Sequence, residues 1–257
     1  MGQYSVTGCI VTYNNAKKIK NTLDTVLECT KGVDFKLYVV DNGSTDGTLE
    51  LIKGYEQVEL IESGANIGFG AGHNAVLDRL DSKYHVFINP DISIRTDVIS
   101  SMAAFLDKNE DVVLLSPKIC FPDGRDQILG LRDPSIKYLA ASKLRWKPCL
   151  KTLDEFAMRD QDTGKPFDIQ NASGCFMMVR TELLKKVGGF DGRYFMYFED
   201  ADLTRTFRKY GRAVKYSDVI VYHEWDHDSR KNTRLMLIQM KSMLSYFRKW
   251  RKADRAQ

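Results

Sequence analysis

Cysteine is sparse in this chain and poorly arranged for a scaffold. The five present (Cys9, Cys29, Cys120, Cys149, Cys175) are odd in number and form no CxxC pair. Neither a disulfide framework nor a zinc ribbon is indicated, and a reducing, cytoplasmic compartment is expected. No apolar stretch approaches the ~20 residues that a spanning helix needs. The N-terminus runs from Met1 straight into Tyr4-Ser5-Val6-Thr7, with no charged-then-apolar leader. Internal repeats and low-complexity tracts are absent. Neither sign of charge dominates: 38 Lys and Arg against 34 Asp and Glu leave +4, well short of a nucleic-acid coat, so no nucleic-acid partner is expected. What is present is globular. At 257 residues, 43% apolar and 28% charged, the chain can bury a substantial core, and wholesale disorder is excluded.

The first half alternates strand-like and helix-like runs. Val6 to Val11, Leu37 to Val40, Val58 to Ile61, His85 to Ile88 and Val112 to Leu115 read as buried strands. Between them, Ile19, Leu23, Val26 and Leu27, or Val98, Ile99, Met102, Phe105 and Leu106, recur at helical spacing. This rhythm predicts an α/β fold with a mostly parallel sheet flanked by helices. From Phe121 to Ile169 the rhythm breaks, and four of the six prolines fall there. Such an irregular segment reads as a lid or binding loop. Regularity returns at Gly174 to Val179, Thr181 to Val187, Asp200 to Tyr210 and Val219 to Tyr222. A basic amphipathic helix follows from Thr233 to about Lys252.

In sheets of this kind ligands bind beyond the carboxyl ends of the strands. Four polar clusters fall there: Thr12-Tyr13-Asn14, Asp41-Asn42-Gly43-Ser44, Asn66-Ile67-Gly68-Phe69-Gly70 and Asn89-Pro90-Asp91. Any one of them is ordinary turn chemistry, but four on successive strand ends would line one crevice. The run Gly68 to Gly72 is not a dinucleotide fingerprint, because His73 stands where the third glycine belongs. Asp91 directly follows an apolar strand and suits a hard divalent cation bridging a diphosphate. Glu199, Asp200 and Asp202 follow the aromatic run Tyr194 to Phe198. The helix dipole favours carboxylates there, and aromatic surroundings raise a carboxyl pKa toward the range of a general base. His223-Glu224-Trp225-Asp226-His227 spells HExxH, but it follows a strand rather than lying on a helix. A single His223 reaching a metal from a strand end is the better reading.

Together these residues resemble the inverting, GT-A-fold family-two glycosyltransferases, in particular their rhamnosyltransferase-like branch. The resemblance runs from about Ser5 to Trp225. It rests on Val11-Thr12-Tyr13-Asn14, Val39 to Gly47, Asn66 to Phe69, Asn89-Pro90-Asp91, Gly188-Gly189-Phe190-Asp191 and Phe198 to Leu203. It implies a glycosyltransferase domain over 1–227, with a nucleotide-binding half (1–120) and an acceptor and catalytic half (121–227). Thr12, Tyr13, Asn14, Asp41, Gly43, Asn66, Gly68, Asn89 and Asp91 would hold the nucleotide sugar. Asp91 and His223 would ligate Mn2+ or Mg2+, and Asn89 replaces the usual first Asp of the metal motif. Asp200 would be the catalytic base, while Glu199, Asp202 and Trp225 would position acceptor or sugar. The implied donor is a nucleotide-diphosphate sugar, deoxythymidine-diphosphate rhamnose first and a uridine-diphosphate hexose second. The implied acceptor is a glycan or polyprenyl-linked hydroxyl in cell-surface polysaccharide synthesis. Three competing classes stay open: a nucleotidyltransferase-type enzyme, a non-catalytic sugar-nucleotide-binding protein and a zinc peptidase.

The net charge is unevenly spread. Residues 228–257 hold nine basic and two acidic residues, a net +7, which leaves −3 for residues 1–227. Met236, Met240, Met243, Phe247 and Trp250 recur along the same tail at helical spacing. It reads either as a core-packing helix with a basic outer face or as an interfacial helix on an anionic membrane, which would place the protein at the inner face of the plasma membrane.

Overall fold

The computed structural model describes residues 3–144, 147–225 and 233–255. Nine strands form one sheet in the order β3-β2-β1-β4-β8-β6-β9-β5, with β7 pairing beside β9. The strands are β1 (Tyr4–Thr12), β2 (Phe35–Asp41), β3 (Val58–Glu62), β4 (Ser82–Ile88), β5 (Ile92–Ile94), β6 (Val112–Cys120), β7 (Phe167–Asp168), β8 (Phe176–Arg180) and β9 (Arg212–His223). β1 pairs in parallel with β2 and β4, and β2 with β3. β8 runs antiparallel to both β4 and β6, and β5 antiparallel to β9. The parallel expectation therefore describes the first half, and the second half is mixed. Parallel pairs require a crossover, and the chain between β6 and β8 passes through the long 121–175 excursion instead.

Period-two alternation sorts the strand side chains onto two faces. Ile10, Leu37, Val39, Val86, Ile88, Phe176 and Met178 pack into one core. Cys9, Val11, Tyr38, Val40, Phe87, Met177 and Val179 pack into the other. The first core is covered by α1 (Ile19–Cys29), which buries Ile19, Leu23 and Val26 at four- and three-residue spacing, by Ile52 of α2 (Thr48–Lys53), and by α4 (Val98–Lys108) through Val98, Met102 and Leu106. The second core is covered by the stretch after α3 (Phe69–Asn74), by α7 (Thr181–Val187) and by α8 (Glu199–Phe207). The excursion expected to be irregular contains two helices, α5 (Ile136–Leu144) and α6 (Lys147–Phe156).

The C-terminal helix α9 (Thr233–Arg255) is not a detached tail. Tyr246 and Trp250 are buried with Tyr194, Phe198 and Ala201 in a third cluster. Ser242 Oγ donates to the Met196 carbonyl at 2.8 Å. Lys249 Nζ reaches Asp191 at 2.9 Å and Asp202 at 2.6 Å, and Trp250 Nε1 donates to Asp202 at 2.9 Å. The face opposite these contacts carries exposed Leu237 and Leu244, and Met236 and Met240 are exposed along its flank. Exposed Arg234, Lys241, Arg248, Arg251 and Lys252 lie on the same helix.

Candidate active site

The crevice beyond the carboxyl ends of β1, β2 and β4 gathers the predicted residues in three groups. At one end, Thr12 and Asp41 are register partners on β1 and β2. Asp41 Oδ2 accepts the Gly43 and Ser44 amides at 3.1 and 2.9 Å, which closes the turn after β2. Its Oδ1 and the Thr12 hydroxyl are buried without a partner. Unmatched polar atoms at such depth carry a real cost, and these two sit where the resemblance puts a nucleoside. Tyr13 is exposed at the rim. Asn14 braces the loop: its Oδ1 accepts the Thr45 amide at 2.8 Å. Asn66 Oδ1 accepts the Gly68 amide at 3.1 Å, and the Gly68 carbonyl accepts from Asn42 Nδ2 at 3.1 Å. Gly68 has φ +93°, and a Cβ there would lie 2.3 Å from the Phe195 carbonyl oxygen. Only glycine permits this approach, which draws the loop before α8 over the start of α3. Gly43 is similarly constrained, with φ +77° and a Cβ position 3.1 Å from Ala65 backbone.

The middle group is Asn89, Asp91 and His223. Burial opposes charge on Asp91, but His223 and Lys18 outweigh it and hold its carboxyl below the usual range. His223 closes β9, and its Nε2 lies 3.3 Å from Asp91 Oδ1. Gln127, which the sequence did not single out, fixes the ring. Gln127 Nε2 donates to the His223 carbonyl at 2.6 Å, so its Oε1, 3.1 Å from Nδ1, must accept the Nδ1 proton. Nε2 therefore faces Oδ1 and, on the charged ring, carries the proton between them. Burial works against a charged ring, but Cys175 and Asp91 outweigh it, and the His223 pKa is raised to about 10. A divalent cation would take the place of that proton. Asp91 Oδ1 has no well-formed hydrogen bond, and outer-sphere fixing of a ligating imidazole is the usual companion of a metal site. Among the described residues no group of three or more His, Cys, Asp and Glu could hold a metal. Asp91 and His223 offer two donors, so a hard cation there would have to complete its shell from water and phosphate oxygens. Trp225 stacks beside His223 with planes 9° apart. No helix carries the HExxH letters through Trp225, and His227 lies outside the described residues.

The third group is the start of α8. Tyr197 and Phe198 both adopt left-handed φ, +70° and +67°, each costing on the order of 1–2 kcal/mol. Strain of this kind persists only where packing over-determines it, and here Phe198 lies against Tyr246 of α9 at 5.5 Å. The kinked entry turns Asp200 toward Gly174, whose amide donates to Oδ2 at 3.0 Å, while the Ala201 amide donates to Oδ1 at 2.8 Å. Burial raises the Asp200 pKa against the pull of those amides. Burial and the adjacent Asp200 push Glu199 well above the carboxylate range, and its Oε2 has no partner. Asp202, expected near acceptor or sugar, lies on the buried face of α8 and is occupied by Lys249, Trp250 and Tyr194. The turn Ser173-Gly174-Cys175 joins this group to the previous one, because the Cys175 carbonyl accepts the Asn89 amide at 2.8 Å. Asn89 and Asp200 thus hold the two sides of one turn.

This mixed α/β sheet with its flanking helices is a GT-A-type glycosyltransferase fold. Residues 7–188 match the family described as Glycosyl transferase family 2, and the chain belongs to that family. It is a glycosyltransferase. Over 231 residues it is 27% identical to the N-acetylglucosaminyl-diphospho-decaprenol L-rhamnosyltransferase of Mycobacterium tuberculosis, covering 83% of this chain and 74% of that protein. Among solved structures it is similar to S. aureus TarS 1-349 in complex with UDP, with TM-score 0.61 and 19% identity over 93% of this chain. This chain spans 65% of that one. It is also similar to a mannosyltransferase of Pyrobaculum calidifontis in complex with GDP-Man and Mn2+, with TM-score 0.61 and 19% identity, covering 86% of this chain and 57% of that chain. No helix among the described residues is long and apolar enough to cross a membrane.

Proposed function

We propose that the protein is an inverting glycosyltransferase of cell-surface polysaccharide synthesis. It moves a sugar from a nucleotide-diphosphate donor, deoxythymidine-diphosphate rhamnose first and a uridine-diphosphate hexose second, to a hydroxyl of a glycan or polyprenyl-linked acceptor. The observation that carries this reading is the arrangement around Ser173-Gly174-Cys175. That turn ties a raised-pKa carboxylate, Asp200, to the end of β4 that leads to Asp91, against which His223 of β9 lies. Asp200 takes the proton from the acceptor hydroxyl as its oxygen attacks the anomeric carbon, and the bond to the diphosphate breaks on the opposite face. A single displacement of this kind leaves no covalent sugar on the enzyme. Thr12 and Asp41 hold the nucleoside through the two polar atoms that lack partners. Asp91 and His223 would hold Mn2+ or Mg2+, which would supply charge neutralisation for the diphosphate leaving group. The two-helix excursion between Phe121 and Ile169 borders the acceptor side. The outer face of α9, apolar and basic together, rests on an anionic membrane surface where a lipid-linked acceptor would lie.

A panel of nucleotide sugars with Mn2+ or Mg2+, scored for nucleoside-diphosphate release, identifies the donor, and EDTA should abolish the release. Asp200→Asn should lower transfer by roughly 100- to 10,000-fold while UDP or dTDP binding is retained. Transfer near the wild-type rate in a folded Asp200→Asn protein would overturn the assignment.

A further inference from the structure

The end of α8 that bears Asp200 has no cap of its own. Phe198 stands at the N-cap and offers no side-chain hydrogen bond to the first turn. Two consecutive left-handed residues, Tyr197 and Phe198, lead into it, a conformation that an unsupported chain would leave. Asp200 nonetheless has a narrow placement. Both its carboxylate oxygens accept amides, and a Cβ on Gly174 would lie 3.2 Å from Asp200 Cβ. The C-terminal helix α9 braces this entry. Ser242, itself buried, donates from Oγ to the Met196 carbonyl at 2.8 Å. The Phe198 ring lies 5.5 Å from the ring of Tyr246 and 6.5 Å from that of Phe247. Beyond Asp200, Trp250 Nε1 donates to Asp202 at 2.9 Å. These grips straddle Asp200 along the chain.

We propose that α9 positions the catalytic base, with Ser242 and Tyr246 holding the Met196–Phe198 entry and so setting Asp200 on the Gly174 turn. This rests on the reading of Asp200 as the base. Apolar burial is non-directional, and any large side chain on α9 would satisfy it. A buried hydroxyl on one carbonyl and an aromatic ring against a left-handed phenylalanine fix direction as well. Ser242 and Tyr246 act through the backbone that leads to Asp200, so both are positioning residues. Relaxation of the entry displaces the carboxylate two residues on, and a shift of about 1 Å at a reacting group costs on the order of a hundredfold in rate. The nucleoside end is set separately, because Thr12 and Asp41 belong to β1 and β2. The rate and the affinity for nucleotide therefore respond differently when α9 is altered.

The test uses the full chain and the nucleotide sugar that the donor panel identifies. Tyr246→Leu should lower kcat about ten- to a hundredfold, while donor KM and calorimetric binding of UDP or dTDP stay within a few-fold of wild type. Tyr246→Phe keeps the ring and drops a hydroxyl that has no well-formed hydrogen bond, so it should restore the wild-type kcat. Ser242→Ala is the milder change and should lower kcat about three- to tenfold. It carries the test if circular dichroism shows Tyr246→Leu unfolded. In an Asp200→Asn background, Tyr246→Leu should have no further effect, because the group it positions is gone. Three results overturn the inference and leave the base reading standing: equal losses in both backgrounds, a loss shared between kcat and nucleotide binding, or wild-type kcat in Ser242→Ala and folded Tyr246→Leu. Tyr246→Phe as impaired as Tyr246→Leu overturns it too. Near wild-type transfer by Asp200→Asn, or turnover of no nucleotide sugar by wild type, refutes the base reading and the inference with it.

Discussion

Lowering the pH from 7.5 to 5.5 should destabilise the fold through two buried histidines. His73 is 2% exposed and His85 fully buried. His73 sits among Phe69, Phe87 and Phe190 at ring distances of 4.5, 5.0 and 5.7 Å, and neither of its ring nitrogens has a partner. His85 Nδ1 pairs with the Thr7 hydroxyl at 2.9 Å, and its Nε2 is unmatched. Burial holds His85 down to about 3, and burial with the neighbouring His85 holds His73 well below 6.5. Both stay neutral in the folded protein, whereas the unfolded chain protonates them near pH 6.5. Their contribution is therefore fully present above that pH and is lost as the pH falls below it. Linkage over this window gives roughly 3 kcal/mol for the pair, half from each ring. Glu199 and Asp200, with raised values, act in the opposite sense, so the comparison must be with variants that leave them in place. Urea unfolding of wild type, His73→Phe and His85→Gln at both pH values measures it. Each variant should lose about 1.5 kcal/mol less than wild type on acidification. Equal losses in all three proteins would show that these rings titrate normally and refute the reasoning.

Two further outcomes concern α9. Asp202→Ala strips the acceptor from the buried Trp250 Nε1 and the Tyr194 hydroxyl and leaves Lys249 with Asp191 alone. It should cost about 2–4 kcal/mol in urea unfolding, and a loss under about 0.5 kcal/mol would mean that α9 is not anchored there. On the outer face, Leu237 and Leu244 are 63% and 62% exposed. Wild type should bind liposomes containing an anionic lipid in a salt-sensitive way, and the double change Leu237→Glu, Leu244→Glu should abolish it. Absence of wild-type binding at low salt would remove the membrane from the reading.

The first half of the fold was legible because its signals are local. Apolar runs such as Leu37 to Val40 and the helical spacing of Ile19, Leu23 and Val26 report burial directly, and a polar cluster after each run marks a strand end. That logic located Thr12, Asp41, Gly68 and Asp91 on one rim. It could not foresee β5, whose three residues are a strand only because they pair with β9. It also missed the antiparallel insertion of β8 between β4 and β6, and the two helices inside the proline-bearing excursion.

By itself, then, the sequence determined the two-faced strands, the order of the crevice motifs, the family they resemble and the amphipathic character of the tail, because each is written in neighbouring residues. The tertiary structure alone decided the partners. Gln127 orients His223 from 96 residues away, and Lys18 meets Glu224 across 206. Asp202 turns from the sugar to Lys249 and Trp250, and Gly68 is pressed against Phe195. Contacts of this kind depend on which strand lies beside which, and a charge or an amide carries no local mark of the partner that the fold will bring to it.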